Sequence, residues 1–263
     1  MKIREIAAAI EEFAPLKLQA DYDNSGLVVG RLDDEVHKAL LAVDVTEEVL
    51  DEAEREGCDI VITHHPIIFT PLKRFNSATY VERCVERAIR SGIALYACHT
   101  NLDSTVNGMS WQVGSMIGLS DMSVLEPRRD DPSVGYGVIG TLTRPENIKA
   151  LLMRIKSIFD VGAIRHSDLP SEDMMVRRIA ICTGSGRSLI GNALAADADL
   201  YITADLRYND FMEGENRMVI ADIGHFESEF CAIRILDDVL SKKLCNFAVH
   251  KSLCSRNPIH YLF

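Results

Sequence analysis

Hydrophobic positions recur along the chain in two ways, at helical spacing and in short continuous runs. A first helix is predicted before Pro15 by apolar residues at helical spacing: Ile3, Ile6, Ala7 and Ile10. Further on, the apolar runs ALLAVDV and CDIVIT flank TEEVLDEAEREG. Thr46 is a candidate N-cap of that middle segment and Gly57 a stop signal. Together they predict a strand–helix–strand unit whose second strand is buried on both faces.

A second unit of the same kind follows in the sequence RRIAICTGSGRSLIGNALAADADLYITADL, which predicts strand, small-residue turn, helix and strand. Its final strand at 199–203 (DLYIT) matches 59–63 (DIVIT) in the first unit. Each half also contains an apolar strand that ends in a histidine with a carboxylate four residues on: His99 and Asp103, then His225 and Glu229. This echo predicts an α/β fold of two related halves with mainly parallel sheets.

The segment LEPRRDDPSVGYG at 125–137 is rich in proline, glycine and charge, and it separates the two units. We therefore predict a domain boundary there. The first half would span 1–124 and be completed by the C-terminal segment 225–263, and the second half would span 125–224.

Composition narrows the class of protein. The 263 residues are 47% hydrophobic and 25% charged, as in ordinary globular proteins, and the net charge is −11. Such acidity argues against a broad nucleic-acid surface and favours a small-molecule substrate. No apolar run approaches the roughly 18 residues of a membrane span, and the N-terminus lacks the pattern of a secretory signal. Seven cysteines without a CxxC motif predict reduced thiols and a cytoplasmic location.

Polar groups follow the predicted strands at 63–66, 99–103, 205 and 224–229, and in parallel sheets ligands collect at these carboxyl ends. Imidazole with carboxylate suits zinc, iron, manganese or nickel. A turn before Pro66 can direct the side chains of His64 and His65 toward neighbouring points. This arrangement suits two metal ions bridged by a carboxylate better than a single ion. On a helix, His225 and Glu229 would face one site.

Less specific interpretations remain for some of these residues. His64 and His65 could hydrogen-bond loop carbonyls, and His99 could orient a ligand instead of binding metal. The sequence GSGRS at 184–188 could cradle a phosphate, although it lacks the lysine of a P-loop and a tight turn is preferred. The remaining histidines are interpreted as solvated or capping residues: His37, His166, His250 and His260.

Several motifs together resemble the Nif-three-like family: DNSGLVVG, DIVITHHPIIF, HTNLDS, TGSG, GHFESE and NPIHYLF. Its bacterial members are labelled GTP cyclohydrolase 1 type 2 homologs or dinuclear metal-centre proteins. The resemblance implies a two-domain α/β fold, a toroidal homohexamer and two divalent ions per chain. By motif position, the implied metal ligands are His64, His65, Asp103, His225 and Glu229. The chain departs from the family at Tyr22, where tryptophan is common, and at Asn209, where many members have histidine.

Two classes of function follow. The first is a metal-dependent hydrolase acting on a small phosphorylated or nucleotide substrate, GTP cyclohydrolase-like by the family label, with His99 moving a proton. The alternative is a non-enzymatic metal-binding protein that regulates or binds a partner. A metallochaperone is less favoured, because the chain lacks cysteine-rich ligand sets for soft metals.

Overall fold

The computed structural model describes residues 1–262 and contains two sheets with helices. The strands are β1 Gly26–Val29, β2 Lys38–Ala42, β3 Ile60–Thr63, β4 Ala94–Ala97, β5 Leu119–Pro127, β6 Gly135–Asn147, β7 Arg165–His166, β8 Met175–Ile181, β9 Leu200–Thr203, β10 Val219–Asp222 and β11 Ala248–Lys251. The α-helices are α1 Ile3–Phe13, α2 Glu47–Glu56, α3 Tyr80–Ser91, α4 Thr100–Ser104, α5 Met109–Met116, α6 Ile148–Ile158, α7 Ile190–Ala195, α8 His225–Glu229 and α9 Cys231–Lys243. Within residues 1–262, no helix has the length and apolar character that crossing a membrane requires.

The chain divides into two compact units, each with its own sheet. Unit 1 comprises Met1–Thr105 and Ala232–Arg256, and unit 2 comprises Val106–Cys231 and the segment from Asn257. The division therefore falls near Thr105, not at 125–137 as we predicted. Residues 125–137 lie inside unit 2, where β5 and β6 pair antiparallel with Glu126 opposite Tyr136. Proline, glycine and charged residues are as typical of tight turns as of linkers. In this segment they form the turn of a hairpin.

Unit 1 contains a five-stranded sheet in the order β1-β4-β3-β2-β11. All neighbours are parallel except β1 and β4. The predicted helix α2 begins after Thr46, whose side chain accepts a hydrogen bond from the Val49 N–H at 3.2 Å, and ends at Gly57 with φ of 66°. Both the N-cap and the stop signal are confirmed. Leu50 of α2 packs with Val61 of β3 in the buried core of this unit.

Unit 2 contains a six-stranded sheet in the order β5-β6-β8-β9-β10-β7. Only the central strands β8, β9 and β10 run parallel, and the flanking pairs are antiparallel. Helix α7 follows β8 and leads to β9, as the sequence predicts. Ile190 of α7 packs with Tyr201 and Ile220 in the core of this unit.

The sequence echo corresponds to the same local structure in both units. The Asp59 carboxylate, before β3, accepts hydrogen bonds from the N–H groups of His37 and Lys38 at the start of the neighbouring strand β2. The Asp199 carboxylate, before β9, accepts from the N–H groups of residues 177 and 178 in the neighbouring strand β8, both at 2.8 Å. Each aspartate thereby sets the register of its strand against the previous one, which supports two related halves.

A buried carboxylate ties the end of unit 1 to helix α2. Glu52 is only 3% exposed and accepts hydrogen bonds from the Ser252 hydroxyl and from the N–H groups of Leu253 and Cys254. Burial raises the pKa of Glu52, but these hydrogen bonds lower it more, so its pKa lies below the ordinary value. The folded protein therefore holds the ionised form.

We expect Glu52→Gln to destabilise unit 1, because a neutral amide replaces a carboxylate that accepts three hydrogen bonds. The loss should be about 2 kcal/mol at pH 7, measured by urea unfolding. Since the folded pKa is depressed, the wild-type advantage is present above the unfolded pKa and is lost as pH falls through the folded pKa. Glu48→Gln, an exposed position on the same helix, is the matched control and should change stability little. Equal stability of wild type and Glu52→Gln at pH 7 would contradict the assignment.

Candidate metal centre

In unit 1, three histidines meet at one edge of the sheet. Strands β2, β3 and β4 are parallel neighbours, so their carboxyl ends lie together. His64 and His65 follow β3, and His99 follows β4. The three ring centroids are 4.9–5.3 Å apart, and each ring offers a nitrogen within 4.8 Å of the other two. The strand ends thus deliver a cluster of imidazole nitrogens to one place.

Each of these imidazoles is held through its Nδ1 atom by an oxygen at 2.7–2.8 Å. The pairs are His64 with the Cys98 carbonyl, His65 with the Asp44 carboxylate, and His99 with the Asp23 carboxylate. A carbonyl only accepts, so Nδ1 of His64 carries the proton and its Nε2 holds a lone pair. Metal-binding histidines are oriented in this way. The contacts therefore present Nε2 atoms that are ready for a cation.

Asp103 reaches the same cluster from helix α4, for which His99 is the N-cap residue. Its Oδ1 atom lies 3.8 Å from His64 Nε2, and the His64 side chain is fully buried. The four-residue spacing from His99 brings the carboxylate around one helical turn to the histidine edge. Unit 1 thus brings together His64, His65 and Asp103 with His99.

The segment DYDNSG at 21–26, which overlaps the motif DNSGLVVG, holds His99 in place. The Asp23 side chain is completely buried and accepts hydrogen bonds from His99 Nδ1, the Thr100 N–H and the Ser25 hydroxyl. Burial raises the pKa of Asp23, but the hydrogen bonds from His99 and Thr100 and the charge of His99 lower it well below the ordinary value. The carboxylate is therefore ionised, and it fixes the orientation of the His99 ring.

Unit 2 presents a smaller group of the same kind. His225 opens helix α8 after β10, and its Nε2 atom lies 3.0 Å from Glu229 Oε2. Its Nδ1 atom lies 2.7 Å from Asp205, which follows β9. Burial lowers the pKa of His225, but the hydrogen bonds and charges of Asp205 and Glu229 raise it to about 11. The two carboxylates thus stabilise positive charge at this imidazole, whether it is brought by a proton or by a cation.

The TGSG turn fixes the Glu229 carboxylate. Gly184 has φ of +60°, and a Cβ atom there would lie 2.2 Å from Glu229 Oε1. Its N–H donates to the Ser228 hydroxyl at 3.0 Å. A residue other than glycine would therefore displace the carboxylate. The structure supports the tight-turn interpretation, since the loop packs on an acidic side chain. Glu227, by contrast, accepts from the Asn257 amide at 3.0 Å.

Sequence reasoning missed the acidic residues that orient the histidines. Asp23 and Asp44 carry no role in the predicted site, and Asp205 is noted there only as a strand-end residue. Asp44 comes shortly after β2, so its position at a strand end is a signal that could have identified it. Asp23 gives no such signal, because the turn that contains it precedes its own strand.

The donor set fits a divalent transition metal. The candidate ligand atoms are imidazole nitrogens and carboxylate oxygens, which zinc, iron, manganese and nickel accept. Two of the predicted ligands are deeply buried, His64 at 0% and Glu229 at 3% exposure. Buried acidic and imidazole groups are expensive to desolvate unless they bind a cation or hydrogen-bond with another polar group.

Sequence comparison identifies related proteins over the whole chain. The pattern of the Duf34/NIF3 (NGG1p interacting factor 3) family matches residues 1–258. A "GTP cyclohydrolase 1 type 2 homolog" of Clostridium perfringens is 32% identical over 266 residues, covering 100% of both chains. A protein of the same description from Methanocaldococcus jannaschii is 30% identical and covers 93% of this chain and 96% of its own.

Solved structures show the same fold. A Bacillus cereus protein related to NIF3 superposes with a TM-score of 0.91 at 22% identity and covers 100% of this chain and 99% of its own. Reduced HcgD from Methanocaldococcus jannaschii superposes with a TM-score of 0.80 at 28% identity, covering 95% of this chain and 97% of its own. The predicted α/β fold of two related halves is thereby confirmed, but the sheet of unit 2 is mixed and not mainly parallel: β8–β9 and β9–β10 are parallel and its other pairs antiparallel.

We expect Glu229→Gln to weaken the binding of at least one divalent ion about tenfold or more, because an amide oxygen holds a cation less well than a carboxylate does. Zinc titration of the chelator-treated protein, followed by elemental analysis after dialysis, measures the change. Glu227→Gln is the matched control two residues away, and it should bind zinc as the wild type does. Loss of zinc binding in the Glu227 variant alone would show that the register of the ligand assignment is wrong.

Proposed function

The chain belongs to the Duf34/NIF3 family, and we propose that it binds two divalent metal ions through its two histidine–carboxylate groups. The proposed ligands are those implied by the motifs: His64, His65, Asp103, His225 and Glu229. Five donors exceed the four of one tetrahedral site, and neither the three in unit 1 nor the two in unit 2 fill two coordination spheres. Two ions per chain and a homohexameric assembly are also what the sequence resemblance implies.

The observation that carries this proposal is the common arrangement of the imidazoles. His64, His65, His99 and His225 each have Nδ1 held at 2.7–2.8 Å by a backbone or carboxylate oxygen. The contacts fix the ring orientation and raise the basicity of Nε2, which strengthens a bond to a metal. At His64 and His225 a carboxylate oxygen also lies 3.8 Å and 3.0 Å from Nε2. An isolated loop contact, such as that of His166 Nδ1 with the Ser167 carbonyl at 2.8 Å, does not account for this second feature.

We further propose that the metal-loaded protein hydrolyses a small phosphorylated or nucleotide substrate. A divalent ion supplies Lewis acidity, which polarises a substrate oxygen and lowers the pKa of water. Several relatives are described as GTP cyclohydrolase 1 type 2 homologs, which supports a nucleotide as the substrate class. The net charge of −11 favours a small substrate over a nucleic-acid polymer.

His99 is the proposed proton carrier of this reaction. Asp23 holds its Nδ1 atom, so Nε2 is the position at which a proton is taken up or released. The Asp23 side chain is ionised and buried, and its hydrogen bond with Nδ1 fixes the ring in the orientation that presents Nε2 to a substrate. The pair thus has the parts of a general acid–base and its orienting carboxylate.

The central test is a substrate screen on protein reconstituted with zinc, manganese, iron or nickel. We expect about two ions per chain and turnover of GTP, a phosphodiester or a phosphomonoester, both strongly reduced in His65→Ala. His250→Ala, a partly exposed histidine on β11 outside the proposed ligands, is the control. Two bound ions without any turnover would favour the non-enzymatic metal-binding function, and no more than trace metal would contradict both.

We expect His99→Gln to keep about two ions per chain while its turnover falls about 100-fold or more, because a glutamine cannot exchange protons. Elemental analysis measures the metal content, and a pH–rate profile measures activity. The part of the wild-type pH dependence that is due to proton exchange at His99 should be absent in the variant. Loss of metal in parallel with activity would instead make His99 a ligand. An unchanged rate would remove it from the mechanism.

A further inference from the structure

Two large aromatic side chains beside His99 are exposed in unit 1. Tyr22 is 68% and Phe69 49% exposed, and we call them the aromatic pair. Their ring centroids are 6.1 Å apart with an interplanar angle of 61°, and the Phe69 ring lies 6.1 Å from the His99 ring at 77°. The rings therefore meet edge to face, and the aromatic pair continues the imidazole cluster outward toward solvent.

The backbone of the aromatic pair is tied to the loop that holds His99. The Asn24 side chain donates to the Ile68 carbonyl at 2.7 Å, which joins the neighbours of Tyr22 and Phe69. Asp23, between Tyr22 and Asn24, holds the His99 ring. The segment 22–24 therefore positions both the aromatic pair and His99, the proposed proton carrier, and this fixes the distance between them.

We propose that the aromatic pair determines substrate specificity by stacking a planar heteroaromatic ring, such as a nucleobase, whose polar part reaches His99. The inference rests on the proposed function and names the substrate class of the same site. The Phe69 and His99 ring centroids are 6.1 Å apart, so a ligand that contacts the imidazole is within reach of the Phe69 ring. The chain has a net charge of −11, which repels phosphate groups. Contact between an aromatic ring of the ligand and the aromatic pair would contribute affinity that does not depend on charge.

Stacking on the aromatic pair selects for a ring and not for a particular base, because every nucleobase has a π face. We therefore expect a ligand with an aromatic base to be preferred over a sugar phosphate without one. It also explains why two large aromatic side chains remain exposed at this edge, although apolar rings of this size usually contribute to a core.

The test compares two probes that share a ribose and a 5′-phosphate, GMP and ribose 5-phosphate, by calorimetric titration of the full-length, zinc-loaded protein. We expect wild type to bind GMP about tenfold or more tightly than ribose 5-phosphate. Phe69→Leu and Tyr22→Leu, which keep apolar side chains but lose the ring, should remove most of that preference. Tyr22→Trp should maintain or increase it.

Phe75→Leu is the matched control, because Phe75 is 58% exposed, lies six residues after Phe69 in the chain and is not part of the aromatic pair. Zinc content is measured on every variant and should equal that of wild type, so that a change in GMP affinity is separated from a change at the metal ligands. Light scattering on the same samples reports the oligomeric state.

Three results would overturn the inference. Equal binding of GMP and ribose 5-phosphate by wild type, or no GMP binding at all, would exclude ring stacking even with zinc bound. An equal loss of both probes in Phe69→Leu would show a role other than ring recognition. A changed oligomeric state in that variant would make the aromatic pair a contact between copies. Failure of zinc to bind wild type would instead overturn the proposed function itself.

Discussion

The hydrogen bond from an imidazole Nδ1 to a fixed oxygen is the interaction on which the candidate site depends. It recurs at His64, His65, His99 and His225. The accepting oxygens belong to residues next to strands, so the sheets fix their positions. Parallel strands make this possible, since they end at one edge and carry their following residues to the same place. Without these contacts each ring would rotate about its side-chain bonds, and a metal would have to order it on binding.

The same arrangement makes the site costly to fold. Asp23 is completely buried, Glu229 is 3% exposed, and His64 is 0% exposed. Burying such groups loses hydration that their mutual hydrogen bonds only partly replace. The cost is met by apolar packing elsewhere: Leu50, Val61 and Leu95 belong to the core of unit 1, and Tyr201 and Ile220 to that of unit 2. Each histidine–carboxylate group is therefore a cluster of acidic and imidazole side chains at the edge of the α/β core of its own unit.

Local spacing explains which parts could be predicted from the sequence. The helix after Thr46, the strands before His64 and His225, and the turn that places Glu229 one helical turn from His225 all depend on neighbouring residues. The anchoring acids depend on distant ones: 76 positions separate Asp23 from His99, and 21 separate Asp44 from His65. Such pairs leave no periodic signal. For the same reason the hairpin at 125–137 resembles a linker until its flanking strands are seen to pair.

The charge of the two groups gives a physical reason to expect cations there. Unit 1 places Asp23, Asp44 and Asp103 among the three clustered histidines His64, His65 and His99, and unit 2 places Asp205 and Glu229 around His225. The pKa values of Asp23 and Asp205 lie below their ordinary range because a histidine hydrogen-bonds each carboxylate, so both favour the ionised form although burial opposes it. Five carboxylates against four imidazoles leave an acidic excess if the rings stay neutral, as nitrogen ligands must. Two divalent cations would nearly neutralise that excess. An anionic ligand alone would add to it, so a phosphate-bearing substrate is compatible with these side chains only when the metals are already bound.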